Sequence, residues 1–176
     1  MNTDQKAART AGLGMMFALA IVLQFLESLV PSPFSFAPGI KMGLSNTVTM
    51  FALLSLGFSE ALYIAILKGL FAFVTRGATA GILSTAGGIA SVLVMMIMRR
   101  IGSSQGLMSV TGAVTHNMAQ LVAESIMMKS AAAMFYIPVL TASGIVMGTI
   151  TAVVHRTIRP YLEKLSVIEF GRKKTK

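Results

Sequence analysis

The chain has 176 residues, 55% of them hydrophobic and only 12% charged, with no cysteine, no tryptophan and a formal net charge of +9. A soluble domain carries about twice that charged fraction, and without cysteine there is no disulfide, thiolate metal site, iron–sulfur cluster or c-type haem attachment. Seven of the fifteen basic residues follow His155 and most others flank apolar runs, as at the cytoplasmic surface of a membrane protein and unlike the basic, aromatic-interleaved face of a nucleic-acid reader.

A membrane-spanning helix needs about 20 mostly apolar residues. Six such segments are predicted, at 9–29, 42–58, 60–75, 79–98, 106–128 and 134–155. They define an all-α, integral membrane six-helix bundle as a single domain over 1–160, followed by a basic cytoplasmic tail over 161–176. A short interfacial helix is expected after Pro160.

The first segment ends at the Pro31-Ser-Pro33 breaker and carries Gln24, Glu27 and Ser28 on one face near its outer end. It is longer than a signal-peptide core. The small-x-small site Ser35-Phe36-Ala37 is followed by Pro38, so the segment reads as a retained helix. The second segment opens with KMGLSNTVTM, where Lys41, Ser45 and Thr49 recur every four residues and Asn46 sits beside them. The second and third are short, consistent with a tight hairpin or with partial shielding by neighbouring helices. Lys68 lies inside the third, a costly position unless the residue is paired or serves a ligand; Glu27 and Glu124 are its possible partners.

Between the third and fourth segments stands Arg76-Gly77-Ala78-Thr79. It resembles the Gly-Ala-Thr core at which some membrane redox subunits carry flavin, but Arg76 replaces the serine, threonine or aspartate of that pattern. The fragment reads as a turn with a helix N-cap at Thr79. Small residues recur at four-residue spacing in Gly14-Met-Met-Phe-Ala18, Ser84-Thr-Ala-Gly-Gly88 and Gly144-Ile-Val-Met-Gly148. Such spacing lets helix backbones approach closely, and packing inside the bundle is the expected use.

The fifth segment contains GAVTHNMAQLVAES. At 100° per residue His116, Gln120, Glu124 and Asn117 fall at about 0°, 40°, 80° and 100°, a single polar face. Val114, Met118, Leu121 and Val122 occupy the other side. Inside a bilayer the polar face must turn toward protein or water. It lines a cavity or, alternatively, bonds across helices and holds the bundle together.

With the N-terminus inside, the inner segments hold Lys6, Arg9, Arg99, Arg100 and the seven basic residues after His155. The outer loops hold Lys41, Arg76 and Lys129. This asymmetry predicts a multi-pass protein of the bacterial cytoplasmic (inner) membrane with both termini in the cytoplasm. The outer basic groups and the polar residues of several helices are then placed to form an outward-facing cavity for a polar or anionic ligand.

Several chemistries lack their residues. There is no GxxxxGK[ST] loop for ATP and no HExxH. Asp4 is the only aspartate, so neither an aspartate-bound Mg²⁺ site for a prenyl diphosphate nor a Ser/His/Asp triad can be assembled. No cofactor and no metal are expected, and the chain is not expected to be catalytic by itself.

Taken together, PGIKMGLSNTVTMFAL, LSTAGGIASVLVMMIMRR and GAVTHNMAQLVAES resemble the bacterial membrane family called Gx transporter, or heptaprenyl diphosphate synthase component I. The resemblance runs from about Gly12 to His155. Its most specific parts are Lys41, Gly43, Leu44 and Asn46, and then His116, Asn117 and Gln120; Ala119 stands where members often carry glycine. The family is similar in plan to the substrate-binding S components of energy-coupling factor (ECF) importers, six-helix proteins that bind nutrients from outside. Those components dock through small residues of the first helix onto a coupling subunit driven by ATPases. The resemblance implies Ala7, Ala11, Gly14 and Ala18 as docking positions.

The expected function is therefore a substrate-binding subunit of an ECF-type importer, its partners being the lipid bilayer, the coupling subunit, the ATPases and a small polar substrate. The expected ligand residues are Glu27, Lys41, Ser45, Asn46, Lys68, His116, Asn117, Gln120 and Glu124. The alternative is a non-catalytic membrane subunit associated with polyprenyl diphosphate synthesis or quinone-linked electron transfer.

Overall fold

A computed structural model describes residues 3–29 and 44–164, all of them helical or in short connections. The helices are α1 (Thr3–Leu29), α2 (Leu44–Ser55), α3 (Phe58–Arg76), α4 (Ala78–Arg100), α5 (Gln105–Met128) and α6 (Ile137–Lys164), with a 3₁₀ turn over Ala131–Tyr136 before the last. Three helical stretches are long and apolar enough to cross a membrane: Phe58–Arg76, Ala78–Arg100 and Met134–Thr157; Thr10–Leu26 is a shorter apolar helix. The outward surface agrees with that solvent. Phe25, Leu70, Val74, Ile97, Ile126 and Val153 are all exposed, far more apolar surface than a water-soluble monomer of this size presents. On the same surface Thr75 and Thr149 turn their hydroxyls back onto the carbonyls of Phe71 and Ile145, which keeps them satisfied without water.

The connections follow from local chemistry. Only Leu56 and Gly57 separate α2 from α3, as the hairpin expectation required. Gly57 has φ 129°, a conformation L side chains rarely adopt, and Leu56 and Gly57 both donate back to Ala52 O to close the end of α2. Gly77 alone separates α3 from α4, at φ 91°. The expected N-cap at Thr79 is thus corrected: Gly77 is the cap, with no side-chain hydrogen bond, and Thr79 lies exposed in the first turn of α4. Glycine takes the position because the reversal needs a positive φ there. Ser104 caps α5 by accepting from the Leu107 amide at 3.2 Å. The last helix continues through Pro160 to Lys164 where a separate interfacial helix was expected; near a helix end the proline removes one hydrogen bond without stopping the turn. The tail beyond Lys164 lies outside the described residues.

Each helix from α3 to α6 packs antiparallel on the next, and α2 contacts α1, α3, α4 and α6. Small residues set the register. A Cβ at Gly69 would meet Thr85, and one at Gly88 would meet Ala65, which seats α3 on α4. Gly144 and Gly148 face the backbone of Val114 and Val110, and Ser109 donates to Gly148 O at 2.8 Å. The GxxxG of the sixth segment is therefore an internal seam between α5 and α6.

The apolar core gathers Met16, Ala20, Met50, Leu53, Ile64 and Val92, among others, at the end of the bundle where α2 finishes and α3 begins. Arg99, in the last turn of α4, donates to the Leu53 carbonyl there; a cation at the end of a helix satisfies an orphan acceptor and suits the dipole. A smaller apolar cluster centred on Leu121 and Leu140 lies between α5 and α6 near the opposite end. The polar residues collect between the two.

Candidate functional site

Between the two apolar clusters lies a cavity lined by side chains from all six helices. Its walls are Gln24 of α1, Ser45 and Asn46 of α2, Lys68 and Arg76 of α3, Ser84 of α4, Ala113, His116, Asn117 and Gln120 of α5, and Met147 of α6. Measured out to its mouth the space is about 500 Å³, of which about 30 Å³ is free for the centre of a water molecule. One water needs roughly 10–15 Å³ of that kind, so the cavity as it stands admits a few waters or one small functional group.

The polar face of α5 points into this space because small residues of α4 let it approach. A Cβ at Gly87 would lie 2.9 Å from both the Gln120 Cγ and the His116 ring. Gly87 thus leaves room for both side chains in the wall. Further down, Gly112 would meet Met95 and Ser91, and the two helices close completely.

Lys68 is 5% exposed. Its ammonium donates to Asn46 Oδ1 at 3.1 Å and lies 3.5 Å from Thr49 Oγ1. The buried charge is solvated by the first turns of α2, which explains the polar opening of that short helix. Asn117 donates from Nδ2 to the Leu140 carbonyl of α6 at 3.1 Å. Part of the polar face therefore does bond across helices, and the two readings of the stripe coexist within it. Gln24 is 5% exposed, and neither its amide nitrogen nor its amide oxygen has a hydrogen-bond partner among the described residues.

Of the expected ligand residues the cavity brings together Ser45, Asn46, Lys68, His116, Asn117 and Gln120. Glu124, one turn beyond Gln120, is half-buried and not part of the wall. Lys41 and the Glu27 side chain lie outside the described residues. The wall adds Arg76, Gln24, Ser84, Ala113 and Met147. Gln24 and Arg76 carried a signal, as polar residues near the ends of apolar segments; Ser84 was visible only as part of a small-residue motif. Ala113 and Met147 carried none. The docking positions implied by resemblance, Ala7, Ala11, Gly14 and Ala18, all lie exposed along α1, with nothing within 4 Å of a Cβ placed on Gly14.

An apolar-surfaced helical bundle with three helices long and apolar enough to cross a membrane, and a polar cavity between its helices, points to the class of helical membrane proteins. Within that class the assignment is narrower. The heptaprenyl diphosphate synthase component I family matches residues 16–158, and the chain belongs to it. No curated protein and no solved structure matches the chain.

Proposed function

We propose that the chain is a substrate-binding membrane subunit of an ECF-type importer, which captures a small polar molecule from outside in the cavity lined by the six helices. One observation carries the reading: nine polar residues drawn from five helices, α1 to α5, line a single cavity, beside a core packed mainly with Met, Leu, Ile and Ala. Polar groups needed only for adhesion would pair off across helices, as Asn117 does with Leu140. The orientation completes the reading, with six spans, both termini in the cytoplasm and the cavity toward the outer face of the inner membrane. Coupling and ATPase subunits would supply the energy by favouring an inward-open state over the outward one. The narrow free space implies that the bundle opens further to admit a nutrient-sized ligand.

Native mass spectrometry of gently extracted protein tests this. A stoichiometric small polar molecule, lost when His116→Ala is introduced, is the expected result. Only lipid or isoprenoid, retained in that variant, would remove the proposal.

The family supports a second reading, an accessory membrane subunit linked to heptaprenyl diphosphate synthesis and working with a further synthase component. It predicts that a soluble prenyl synthase co-purifies with the chain and that the cavity holds only water. The lone aspartate, Asp4, makes the accessory role non-catalytic on that reading as well.

A further inference from the structure

Four carboxamides line one cavity: Gln24, Asn46, Asn117 and Gln120. Two are already engaged in ways that fix which end is spent. Asn46 gives its oxygen to Lys68 and keeps its N–H donors; Asn117 gives its nitrogen to the Leu140 carbonyl and keeps its oxygen. Gln24 is different. It is 5% exposed, and both ends of its amide are without a partner among the described residues. A buried amide left in that state is destabilising, and in a native structure such a group calls for a missing partner.

The missing partner has a definable shape. A carboxamide presents an acceptor and a donor side by side in one plane. The group that satisfies both at once presents the reverse pair, an N–H adjacent to a C=O, as in the cis-amide edge of a lactam, ureide or pyrimidine-type ring. Such an edge is flat, and the confined space admits one small group rather than a whole nutrient. The remaining donor of Asn46 and acceptor of Asn117 supply the same complementary pair from α2 and α5. We infer that Gln24 is a specificity-determining ligand contact, and that the molecule held in this cavity carries a cis-amide edge which pairs with the Gln24 carboxamide. The inference rests on the cavity being a ligand site. It adds the chemical class, and it adds α1 to the helices that contact the ligand.

Thermal unfolding of the full chain in detergent tests it, with hydantoin as the probe and 1,3-dimethylhydantoin as the control that keeps the carbonyls but has no N–H. Hydantoin is expected to raise the unfolding temperature of the wild type and the dimethyl compound is not. In Gln24→Leu and Gln24→Met, each of which removes both polar ends, the apparent Kd for hydantoin should weaken roughly ten- to a hundredfold, the scale of an unpaired buried hydrogen-bonding group. Equal shifts with both compounds, no shift with either, or a shift that survives in the Gln24 variants would overturn the inference. The wild-type comparison decides the ligand class even if a variant fails to fold. The two proposals also fail separately. A co-purified polar molecule lacking an amide edge and lost in His116→Ala would sink the Gln24 inference and leave the ligand site standing. A cavity that binds water alone would end both.

Discussion

Along α5 the two halves of one helix meet their neighbours in opposite ways. In the half nearer its start, Ser109, Val110 and Gly112 sit against Gly148, Ser91 and Met95 with no space for another methyl group. In the half nearer its end, His116, Asn117 and Gln120 face a cavity that small residues hold open. The glycines of α4 and α6 serve both ends, but to different effect. Where the opposing residue is short they bring backbones together; where it is long and polar they make room for it. The difference teaches that a glycine in this bundle is read by what stands opposite, and that the site is defined as much by Gly87 as by the polar residues it accommodates.

Substitutions on the two halves should separate accordingly. The largest effect is expected for Gly148→Val. A Cβ there would lie 2.5 Å from the Val110 Cα, a backbone atom that cannot swing aside. Overpacking typically costs about 1–3 kcal/mol, and a backbone obstacle puts this substitution at the upper end. Unfolding in mild detergent by circular dichroism, with a melting point far below the wild type, is the expected outcome; an unchanged melt would disprove the tight α5–α6 seam.

Gly87→Ala comes next and should behave differently. Its new Cβ would meet the His116 ring and the Gln120 Cγ at 2.9 Å, side-chain atoms that can move, so the stability loss should be about 1 kcal/mol. The displaced side chains have the cavity to move into. Retention of a co-purifying ligand should therefore fall much more than stability does, which native mass spectrometry and a thermal melt on the same sample would show. Parallel losses of both would mean that Gly87 serves packing alone.

Much of this was legible in the sequence, for reasons that can be located. Helices α3 to α5 follow the predicted apolar runs closely because those runs are interrupted by Gly57, Gly77 and the Gly102-Ser-Ser104 break, residues whose backbone preferences act locally, whereas α6 runs on to Lys164, past the predicted limit at 155. The shared face of His116, Asn117 and Gln120 followed from the helical repeat alone. What sequence could not supply was the neighbour of each face. Met147 and Ala113 join the wall only because α6 and α5 are seated by Gly144 and Gly148 at one register, and nothing in their residue types announces it. Glu124 fits the same stripe as Gln120, yet it lies a turn beyond and outside the wall. Lys68 was expected to need a partner; that Asn46 and Thr49 solvate it depends on the hairpin bringing the first turns of α2 alongside α3.

Asn117→Ala tests the boundary between the two halves with a smaller effect. It removes the 3.1 Å bond to the Leu140 carbonyl, and an interhelical hydrogen bond within a membrane bundle contributes about 1 kcal/mol or somewhat less. If Asn117 is mainly adhesive, the melt should shift by that amount and ligand retention should follow the shift. If the residue also meets ligand, retention should fall beyond it. A double-mutant cycle with His116→Ala, a neighbour in the cavity wall, would reveal the shared ligand as non-additive losses in binding but additive losses in stability.

The smallest effect is expected on the exposed strip of α1, away from the cavity wall. Gly14 is exposed, with nothing within 4 Å of an added Cβ, so Gly14→Ala should stabilise the isolated chain by about 0.5 kcal/mol through helix propensity. Gly14→Leu should likewise leave the melt near the wild-type value, because no atom of the chain stands in the way. If the exposed strip of Ala7, Ala11, Gly14 and Ala18 is where a coupling subunit seats a helix of its own, the leucine must nevertheless block assembly, since small-residue contacts depend on close backbone approach. Pull-down of the coupling subunit with Gly14→Leu against Gly14→Ala therefore isolates docking from folding. Capture reduced only by leucine supports the importer reading, whereas equal capture by both variants would show that α1 meets lipid along this strip and that any partner binds elsewhere.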